Sequence, residues 1–277
     1  MKKALKIALP IASALAAAAA VTVFAAAPGR ARESKKAPFM GRNIAHRGLH
    51  RTDGSVAENS LSAFRAAVDG GYAIECDVRL TRDGRAVVFH DEDTGRMCAS
   101  PGKVEEMNWS ELSKLRLGRT RDTVPLLSDV LAVAGGKAPV VLELKSGGRD
   151  TELCERVYEL VRCYSGPVCV QSFNPLLLRW WRKNAPEILR GQLSAPEKKL
   201  GGVSRLRAFA LANLLGNFLC RPQFISYGVC GKRLPLMVRL CSALGAMKFC
   251  WTSRDRSSED YADAVIFEFY RPRIRFK

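Results

Sequence analysis

Several patterns that mark common protein classes are absent from this 277-residue chain. It has no internal repeat of fixed period, which excludes solenoids and propellers. Apart from an alanine-rich start it has no low-complexity segment, and 47% of its residues are apolar, which excludes a disordered chain. The nine cysteines include no Cys-x-x-Cys pair, so neither a zinc finger nor a disulfide framework is predicted. The expectation is one large globular domain, of a size at which barrels of alternating strands and helices fold as a single unit.

Acidic residues are scarce relative to basic ones. The chain has 44 Lys and Arg against 27 Asp and Glu, a formal charge of +17. Such an excess suits three kinds of partner: nucleic acid, an anionic membrane surface, or an anionic substrate. The basic residues are spread along the chain, and neither zinc-finger spacing nor an RNP-type motif is present. We therefore expect no nucleic-acid partner.

The first 28 residues are predicted to form a hydrophobic targeting segment. Lysines precede the apolar run Ile7 to Ala27. The run has roughly the 20 residues that a membrane-spanning helix needs, whereas its end, "AAAP", resembles a signal-peptide cleavage site. We favour a membrane anchor with the folded domain outside the cytoplasm, because lysines before the run place the N-terminus inside. Cleavage would give a secreted protein. Residues 29–41 are predicted to be a basic linker, and residues 42–277 the catalytic domain.

From Asn43 onward, short β-type runs alternate with helical patterns. This alternation is typical of βα units around a parallel sheet and predicts an α/β protein. The clearest helix begins at Asn59, and two more are predicted over Thr151–Tyr164 and Ser204–Leu219. The nine strand candidates cover residues 43–46, 73–78, 86–90, 140–145, 168–173, 189–193, 224–228, 248–252 and 264–268.

The third strand candidate is predicted to be an antiparallel arm outside the barrel. "RDGR" is a hairpin signal, and with Asp83-Gly84 as a two-residue loop the pairing places His90 directly opposite Asp77. Eight parallel strands then remain, the number that a TIM barrel requires. The sequence therefore predicts a TIM (β/α)8 barrel with a β-hairpin extension after strand 2, preceded by an N-terminal hydrophobic helix.

Three carboxylates are predicted to meet at one end of this barrel. Alternation along a strand sends Glu75 and Asp77 to one face, and Glu143 shares its face with Lys145 in "LELK". All lie at C-terminal strand ends, where barrel enzymes carry their sites. Salt bridges to Lys145 or Arg79 would explain any one of these acids alone. As a set, three hard oxygen ligands suit Mg²⁺ or Ca²⁺.

Two of the only three histidines lie at predicted strand ends. His46 ends the first strand in "AHRG", and His90 closes the hairpin arm, so together they are a candidate acid–base pair. The planar guanidinium of Arg47 suits a phosphate, and Gly48 would allow a sharp turn. The third histidine, His50, is predicted to be exposed and without a role.

A series of short motifs occurs in order along the chain: "AHRG", "AENSLSAF", "ECDV", "TRDG", "VVFHD", "LELK" and a late "WT". Together they resemble the glycerophosphodiester phosphodiesterase (GDPD) family, and in particular its membrane-anchored bacterial members. The resemblance spans roughly residues 43 to 268 and is dense in motifs only in the first half. It implies that Glu75, Asp77 and Glu143 match the divalent-metal ligands of the family, and that His46 and His90 match its general acid and base.

The resemblance implies roles for four more residues. Arg47 and Lys145 match residues that contact the phosphate. Glu58 matches a glutamate that organises the site, although a carboxylate at a helix start has its own electrostatic reason to be there. Trp251 matches an aromatic residue lining the substrate pocket, and a tryptophan of the barrel core stays open as the alternative.

The activity implied is metal-dependent hydrolysis of a glycerophosphodiester to an alcohol and sn-glycerol 3-phosphate. Water or the glycerol 2-hydroxyl could be the nucleophile, and either histidine could be the acid. A lysophospholipase D-like activity on lysolipids at a membrane is the alternative. The run Arg205–Arg221 favours it, being apolar with arginines at both ends, although an ordinary barrel helix would look the same.

Two further points bear on the assignment. A non-catalytic, basic surface-binding protein is the second alternative, and the filled acid, base and metal positions argue against it. The chain also departs from the family, which more often has aspartate at Glu268 and carries a small substrate-shaping insertion at about Glu92–Leu127, a segment that is short and rich in charge here. These departures leave the alcohol half of the substrate open.

Overall fold

The computed structural model describes residue 13, residues 16–229 and residues 234–277. Helix α1 includes residues 16–26. The remaining helices are α2 (Glu33–Lys36), α3 (Leu61–Asp69), α4 (Trp109–Leu112), α5 (Leu127–Ala134), α6 (Asp150–Val161), α7 (Pro175–Asn184), α8 (Arg205–Ala212), α9 (Asn217–Cys220) and α10 (Leu236–Ala243). The strands are β1 (Arg42–Ala45), β2 (Ala73–Leu80), β3 (Ala86–Val88), β4 (Val140–Leu144), β5 (Val168–Ser172), β6 (Leu189–Ser194), β7 (Phe224–Gly228), β8 (Met247–Ser253) and β9 (Ala264–Phe267).

Eight of the strands form a closed parallel barrel. Their order is β1-β9-β8-β7-β6-β5-β4-β2, and β1 also pairs with β2, which closes the ring. All nine predicted strands are present within a few residues of their expected positions. The predicted TIM barrel is therefore confirmed, with its helices on the outside and its strand ends at one face.

The barrel interior is filled at its N-terminal end by apolar side chains. A side chain points inward at every second position of each strand. Gly191 makes room there for a ring, since a β-carbon at this glycine would lie 1.9 Å from Cε2 of Phe224. The buried members of this layer include Ile44, Ala73, Val141, Cys169, Leu189, Phe224, Phe249 and Ile266. The inward-facing polar side chains therefore lie at the other end of the barrel, at the C-terminal ends of the strands.

The residues before the barrel are packed against it. In the predicted linker, residues 29–41, Phe39 is 1% exposed and joins the interior cluster, with its ring centroid 6.2 Å from that of Phe249. Because Phe39 lies just before the first residue of β1, it closes the N-terminal end of the barrel. Gly29 N donates to Arg221 O at 3.1 Å, which fixes the start of this segment.

The predicted hairpin is confirmed as antiparallel, but its predicted register is wrong by one residue. Val78 pairs with Val88, and Leu80 pairs with Ala86. The loop therefore contains three residues, with Gly84 in the left-handed region at φ 75°. Three-residue loops of this kind carry glycine at that position. Asp77 consequently lies opposite Phe89, whose N donates to Asp77 O at 2.9 Å, and His90 lies one residue farther on.

The region predicted as one helix, Ser204–Leu219, contains two. Helix α8 ends at Ala212, and Leu214 takes a left-handed conformation at φ 57° before α9 begins. Such a residue ends a helix, because the N–H that follows turns back to an earlier carbonyl; here Leu215 N donates to Ala210 O at 2.9 Å. The short α9 then runs beside α7, where the Arg182 guanidinium donates to Phe218 O and Leu219 O at 3.2 and 2.9 Å.

The predicted anchor, residues 1–28, lies largely outside the described residues. Of it, residue 13 and residues 16–28 are described, and most of the latter form α1. No helix in the described part of the chain has the length and apolar character needed to cross a membrane.

Candidate active site

Three carboxylates meet at the C-terminal mouth of the barrel, as predicted. Glu75 and Asp77 come from β2 and Glu143 from the neighbouring β4, where Asp77 is paired with Glu143 in the parallel register. One ligand atom from each lies within 4.8 Å of the others, and all three side chains are buried. The strand pattern alone explains the cluster, because inward positions of adjacent parallel strands lie side by side.

This cluster is suited to a hard divalent cation. Glu75 Oε1 is buried without a hydrogen-bond partner among the described residues, a costly arrangement for a carboxylate. Burial, reinforced by the negative charges of Asp77 and Glu143, raises the pKa of Glu75 well above its ordinary value. A bound cation would supply the missing partner and favour the ionised form. The all-oxygen donor set is the kind that Mg²⁺ and Ca²⁺ prefer.

Asp77 is held in place by both a hydrogen bond and ion pairs. Asn59 Nδ2 donates to Asp77 Oδ2 at 2.8 Å, and Lys145 Nζ lies 2.9 Å from Asp77 Oδ1. Lys145 also contacts Glu143. Although burial would raise it, the positive charges of Lys145 and Arg47 lower the pKa of Asp77. Asp77 therefore stays ionised, whereas burial and the neighbouring carboxylates favour the protonated form of Glu75.

Arg47 is held beside the cluster by a strained turn. It is left-handed at φ 53°, and Gly48 follows at φ 77°. A β-carbon on Gly48 would lie 2.7 Å from the Ala63 carbonyl carbon, so the predicted need for glycine here is confirmed. The turn aims Arg47 N at Glu75 Oε2, at 3.1 Å, and its guanidinium at Glu58 Oε1, at 2.8 Å. Left-handed non-glycine residues are concentrated at functional sites.

His46 is oriented by a carboxylate on the adjacent strand end. Its Nδ1 lies 2.9 Å from Glu268 Oε2, and the Arg254 guanidinium donates to Glu268 Oε1 at 3.0 and 2.8 Å. Burial lowers the pKa of His46, although its hydrogen bond with Glu268 opposes this. Burial would raise the pKa of Glu268, but the hydrogen bonds with His46 and Arg254 lower it to about 2. The pair is thus a neutral imidazole against a fixed negative charge at neutral pH.

His90 is oriented by the residue that follows it. Its Nδ1 lies 2.6 Å from Asp91 Oδ1, and its backbone carbonyl accepts two hydrogen bonds from Arg79, at 3.1 and 3.0 Å. Arg96, from the charged segment after the hairpin, contacts both Asp91 and Glu58. Burial lowers the pKa of His90, although the charge of Asp77 opposes this. Despite the shifted register, His90 remains close enough to Asp77 to feel its charge.

Comparison with known proteins agrees with this geometry. Residues 46–268 match the sequence profile of the glycerophosphoryl diester phosphodiesterase family. The chain belongs to that family. The match includes every strand end that contributes to the site, from His46 to Glu268, and it identifies the protein as an enzyme of the phosphodiester hydrolase class.

Individual relatives cover different parts of the chain. A glycerophosphodiester phosphodiesterase of Caldanaerobacter subterraneus is 34% identical over 54% of this chain, and the match spans 65% of its own length. A probable glycerophosphodiester phosphodiesterase of Mycobacterium tuberculosis is 26% identical over 82% of this chain and 86% of its own. An Oleispira antarctica phosphodiesterase, solved with sn-glycerol-3-phosphate, has a TM-score of 0.65 at 24% identity, covering 82% of this chain and 93% of its own.

The two remaining sequence candidates lie close to the mouth of the GDPD barrel. Trp251 Nε1 donates to Ser226 O at 3.0 Å, and its ring stands edge-on to Phe173 at 5.7 Å. It packs on the interior cluster and keeps partial exposure, so it belongs to the core and borders the mouth. The prediction that His50 is exposed is wrong. Its side chain is 9% exposed and meets the ring of Phe269 at 5.0 Å.

Sequence reasoning misses several residues that complete this GDPD site. Asn59, which hydrogen-bonds to Asp77, stands in the "ENS" motif, and Asp91 stands in "FHD", so both could have been found from their motifs. By contrast, Glu268 meets His46 across 222 positions of sequence, and no local pattern pairs them. Arg96 lies in a segment of short turns with little periodicity, so its contacts cannot be foreseen either.

Proposed function

We propose that this protein hydrolyses glycerophosphodiesters to an alcohol and sn-glycerol 3-phosphate with the help of a divalent metal ion. The observation that carries the proposal is the cluster of Glu75, Asp77 and Glu143 within 4.8 Å, next to Arg47 and between two histidines. The Oleispira relative was solved with this phosphate as its product, which supports the same substrate class here.

The charges at the mouth are suited to a phosphodiester. Three carboxylates and two cations, Arg47 and Lys145, sum to −1 when all are ionised. A divalent ion held by Glu75, Asp77 and Glu143 changes the sum to +1, which a phosphodiester monoanion neutralises. Ca²⁺ and Mg²⁺ both fit the donor set. When bound, such an ion supplies Lewis-acid polarisation of a phosphoryl oxygen.

The chain's own residues would bind and orient the phosphoryl group. The Arg47 guanidinium would donate to the phosphoryl oxygens through the N–H groups that Glu58 and Asp77 leave free, and Glu58 sets its direction. Lys145 adds a point charge, and its pKa is raised by Asp77 and Glu143 despite burial, so it stays protonated. These fixed cations stabilise the charge that develops on the phosphoryl oxygens. Trp251 would border the alcohol half of the substrate.

The two histidines would move the protons. Both have a lowered pKa, so both are largely neutral near pH 7 and either can accept a proton. One, as the neutral ring, takes the proton of the attacking oxygen, from water or from the glycerol 2-hydroxyl. The other acts in its imidazolium form, so that its Nε2–H can protonate the departing alkoxide. Glu268 and Asp91 hold the two rings in place by hydrogen bonds to Nδ1, which leaves Nε2 to face the substrate.

Release of the head-group alcohol from soluble and lipid diesters tests the proposal, because glycerophosphocholine would give choline and glycerol 3-phosphate whereas a choline lysolipid would give choline and lysophosphatidic acid. The purified chain is incubated with glycerophosphocholine or with a lysolipid in micelles, in Ca²⁺, in Mg²⁺ and in chelator. Metal-dependent release from glycerophosphocholine supports the proposed reaction. Release from the lysolipid alone would assign the lysophospholipase D-like activity instead, which the apolar run Arg205–Arg221 with its arginines at both ends favours. No turnover of either would contradict both.

We also propose that residues 1–28 anchor the protein to a membrane with its barrel outside the cytoplasm. The lysines before the apolar run and the run's length support this orientation. Retention of the intact chain in membranes after alkaline washing would agree with it. Recovery of a shortened chain in the medium would contradict it.

Replacing Glu268 by Gln should shift one limb of the pH–rate profile to lower pH. The negative charge of Glu268 raises the pKa of His46, so its removal lowers that pKa further. The limb of the profile that reports the pKa of His46 shifts to lower pH in either role. It is the acidic limb if His46 is the base and the alkaline limb if His46 is the acid. The measurement is kcat/KM against pH. An unchanged profile, with the fold intact by circular dichroism, would show that Glu268 does not act on His46.

A further inference from the structure

Helix α8 buries its small residues and exposes its large ones. Of its eight residues, only Ala208 and Ala212 are buried, whereas Leu206 is 79% exposed and Phe209 is 49% exposed. An ordinary barrel helix turns its leucines and phenylalanines towards the sheet. The sequence RLRAFALA therefore forms a barrel-side helix in which the apolar side faces outward.

The exposed apolar residues continue beyond α8. Leu215, which is 47% exposed, and Phe218, which is 45% exposed, follow on the turn and on α9. We call Leu206, Phe209, Leu215 and Phe218 the apolar patch. Four large apolar side chains exposed within 13 positions exceed the scattered exposure that is normal for a soluble surface.

The apolar patch begins at the barrel end that carries the active site. Ser194, the last residue of β6, donates its Oγ to Leu211 O at 2.7 Å. Gly216 packs against Pro175, the first residue of α7, since a β-carbon added to this glycine would lie 2.8 Å from the proline ring. The first contact is with the C-terminal end of β6, and the second is with the start of the helix that follows β5. The patch thus begins at the rim of the barrel mouth and continues down its side.

The chain around the apolar patch contains no carboxylate. From Lys198 to Arg254 there are ten lysines and arginines and neither aspartate nor glutamate. Arg205 and Arg207 are exposed and flank Leu206 directly. Large apolar residues with arginines beside them are typical of helices that lie in a membrane interface. The charge of the segment is complementary to an anionic surface.

We propose that the apolar patch and its flanking arginines dock the barrel on a bilayer containing anionic phospholipids. A second copy of the chain fits less well, because a two-fold contact would set this carboxylate-free surface against itself. The described part of α1 leaves the barrel beside the patch, where the Arg221 guanidinium lies 4.3 Å from the Phe24 ring centroid and donates to Ala27 O at 3.0 Å. Val21, Val23 and Phe24 of α1 are exposed as well. The inference goes beyond the proposed reaction and does not depend on it.

Docking by this surface would bring the barrel mouth close to the lipid headgroups. The rim residues of the patch would enter the interface, and the carboxylate cluster would lie a short way along the same barrel end. A phosphodiester in the membrane surface would then reach Arg47 without full extraction into water. A soluble diester would reach the site from the open side of the mouth.

Hydrogen exchange on the full chain tests the docking. Deuterium uptake is followed by mass spectrometry, alone, with phosphatidylcholine vesicles and with vesicles that also contain phosphatidylglycerol. We expect peptides covering residues 205–218 to exchange more slowly with the anionic vesicles only. This protection should fall at 1 M salt, where the screening length is about 3 Å. The double variant R205E/R207E should bind at least roughly 30-fold more weakly at this surface, about fivefold for each positive charge lost, and repulsion between the two new carboxylates and the anionic lipid adds to this loss.

A charge-matched control is available on the opposite side of the barrel. Arg119 and Arg121 are exposed in the segment next to α3, and α3 joins the first two barrel strands whereas α8 and α9 join the fifth and sixth. The variant R119E/R121E should keep the protection of residues 205–218. Equal loss in both variants would overturn the proposal, as would unchanged exchange of these peptides on vesicles that bind the chain. Protection that grows with protein concentration without vesicles would assign the surface to a second copy instead.

Discussion

His46→Ala is expected to lower kcat by about 10²–10⁴-fold, the contribution of a positioned acid or base to a proton transfer. The ring is buried at the mouth, is neutral near pH 7 because burial lowers its pKa, and is held by Glu268 at 2.9 Å. The measurement is the initial rate of glycerol 3-phosphate release at saturating substrate and metal.

The neighbouring histidine provides the control for this substitution. The rings of His50 and His46 are 6.4 Å apart, but His50 Nε2 is 4.0 Å from Glu268 and forms no hydrogen bond with it. His50→Ala should therefore change kcat far less than His46→Ala. His90→Ala should match His46→Ala, since a mechanism with separate acid and base needs both. Near-normal turnover in His46→Ala or His90→Ala would refute the assignment of the pair.

Glu75→Gln is expected to abolish metal-dependent activity, with kcat/KM falling by more than the roughly 10–100-fold seen for groups that only support a metal ligand. The substitution preserves shape and removes one charge. Without metal, burial and the neighbouring carboxylates raise the pKa of Glu75, so a neutral amide at this position costs little in the metal-free fold. The variant should consequently fold as well as the parent chain in chelator.

Thermal unfolding separates metal binding from catalysis. An ion that binds only the folded state stabilises it by RT ln(1 + [L]/Kd), about 2.7 kcal/mol at one hundred times Kd. The melting temperature of the parent chain should therefore rise with Ca²⁺ or Mg²⁺ and return with EDTA, whereas that of Glu75→Gln should respond little. An equal rise in both proteins would show that the ion binds elsewhere.

Sequence patterns predict the features of the barrel that repeat along the chain. The strands alternate with period two, so the inward direction of Glu75, Asp77 and Glu143 follows from their positions alone. The antiparallel arm follows from the Asp-Gly turn. The loop length does not, because two- and three-residue loops accept the same residues, and the difference of one residue moves His90 away from Asp77 in the ladder.

Contacts between distant segments cannot be predicted in this way. Glu268 reaches His46 only because β9 closes the barrel on β1, and Arg254 comes from yet another strand end. The break between α8 and α9 depends on Leu214 adopting a left-handed conformation, for which leucine has no intrinsic preference. Such features arise from the closure of the barrel and from tertiary packing, and the hydrophobic periodicity of the sequence gives no information on either.

Phe39 and the apolar layer of the interior close the N-terminal end of the barrel and so determine where ligands enter and leave. Within the described residues the barrel is filled at its N-terminal end. The metal ion, the diester and both products therefore all use the C-terminal mouth. Glycerol 3-phosphate carries more negative charge than the diester from which it comes, and Arg47 and Lys145 hold the more charged molecule more firmly. Added glycerol 3-phosphate should therefore inhibit the enzyme by competing with the diester at the mouth of the barrel.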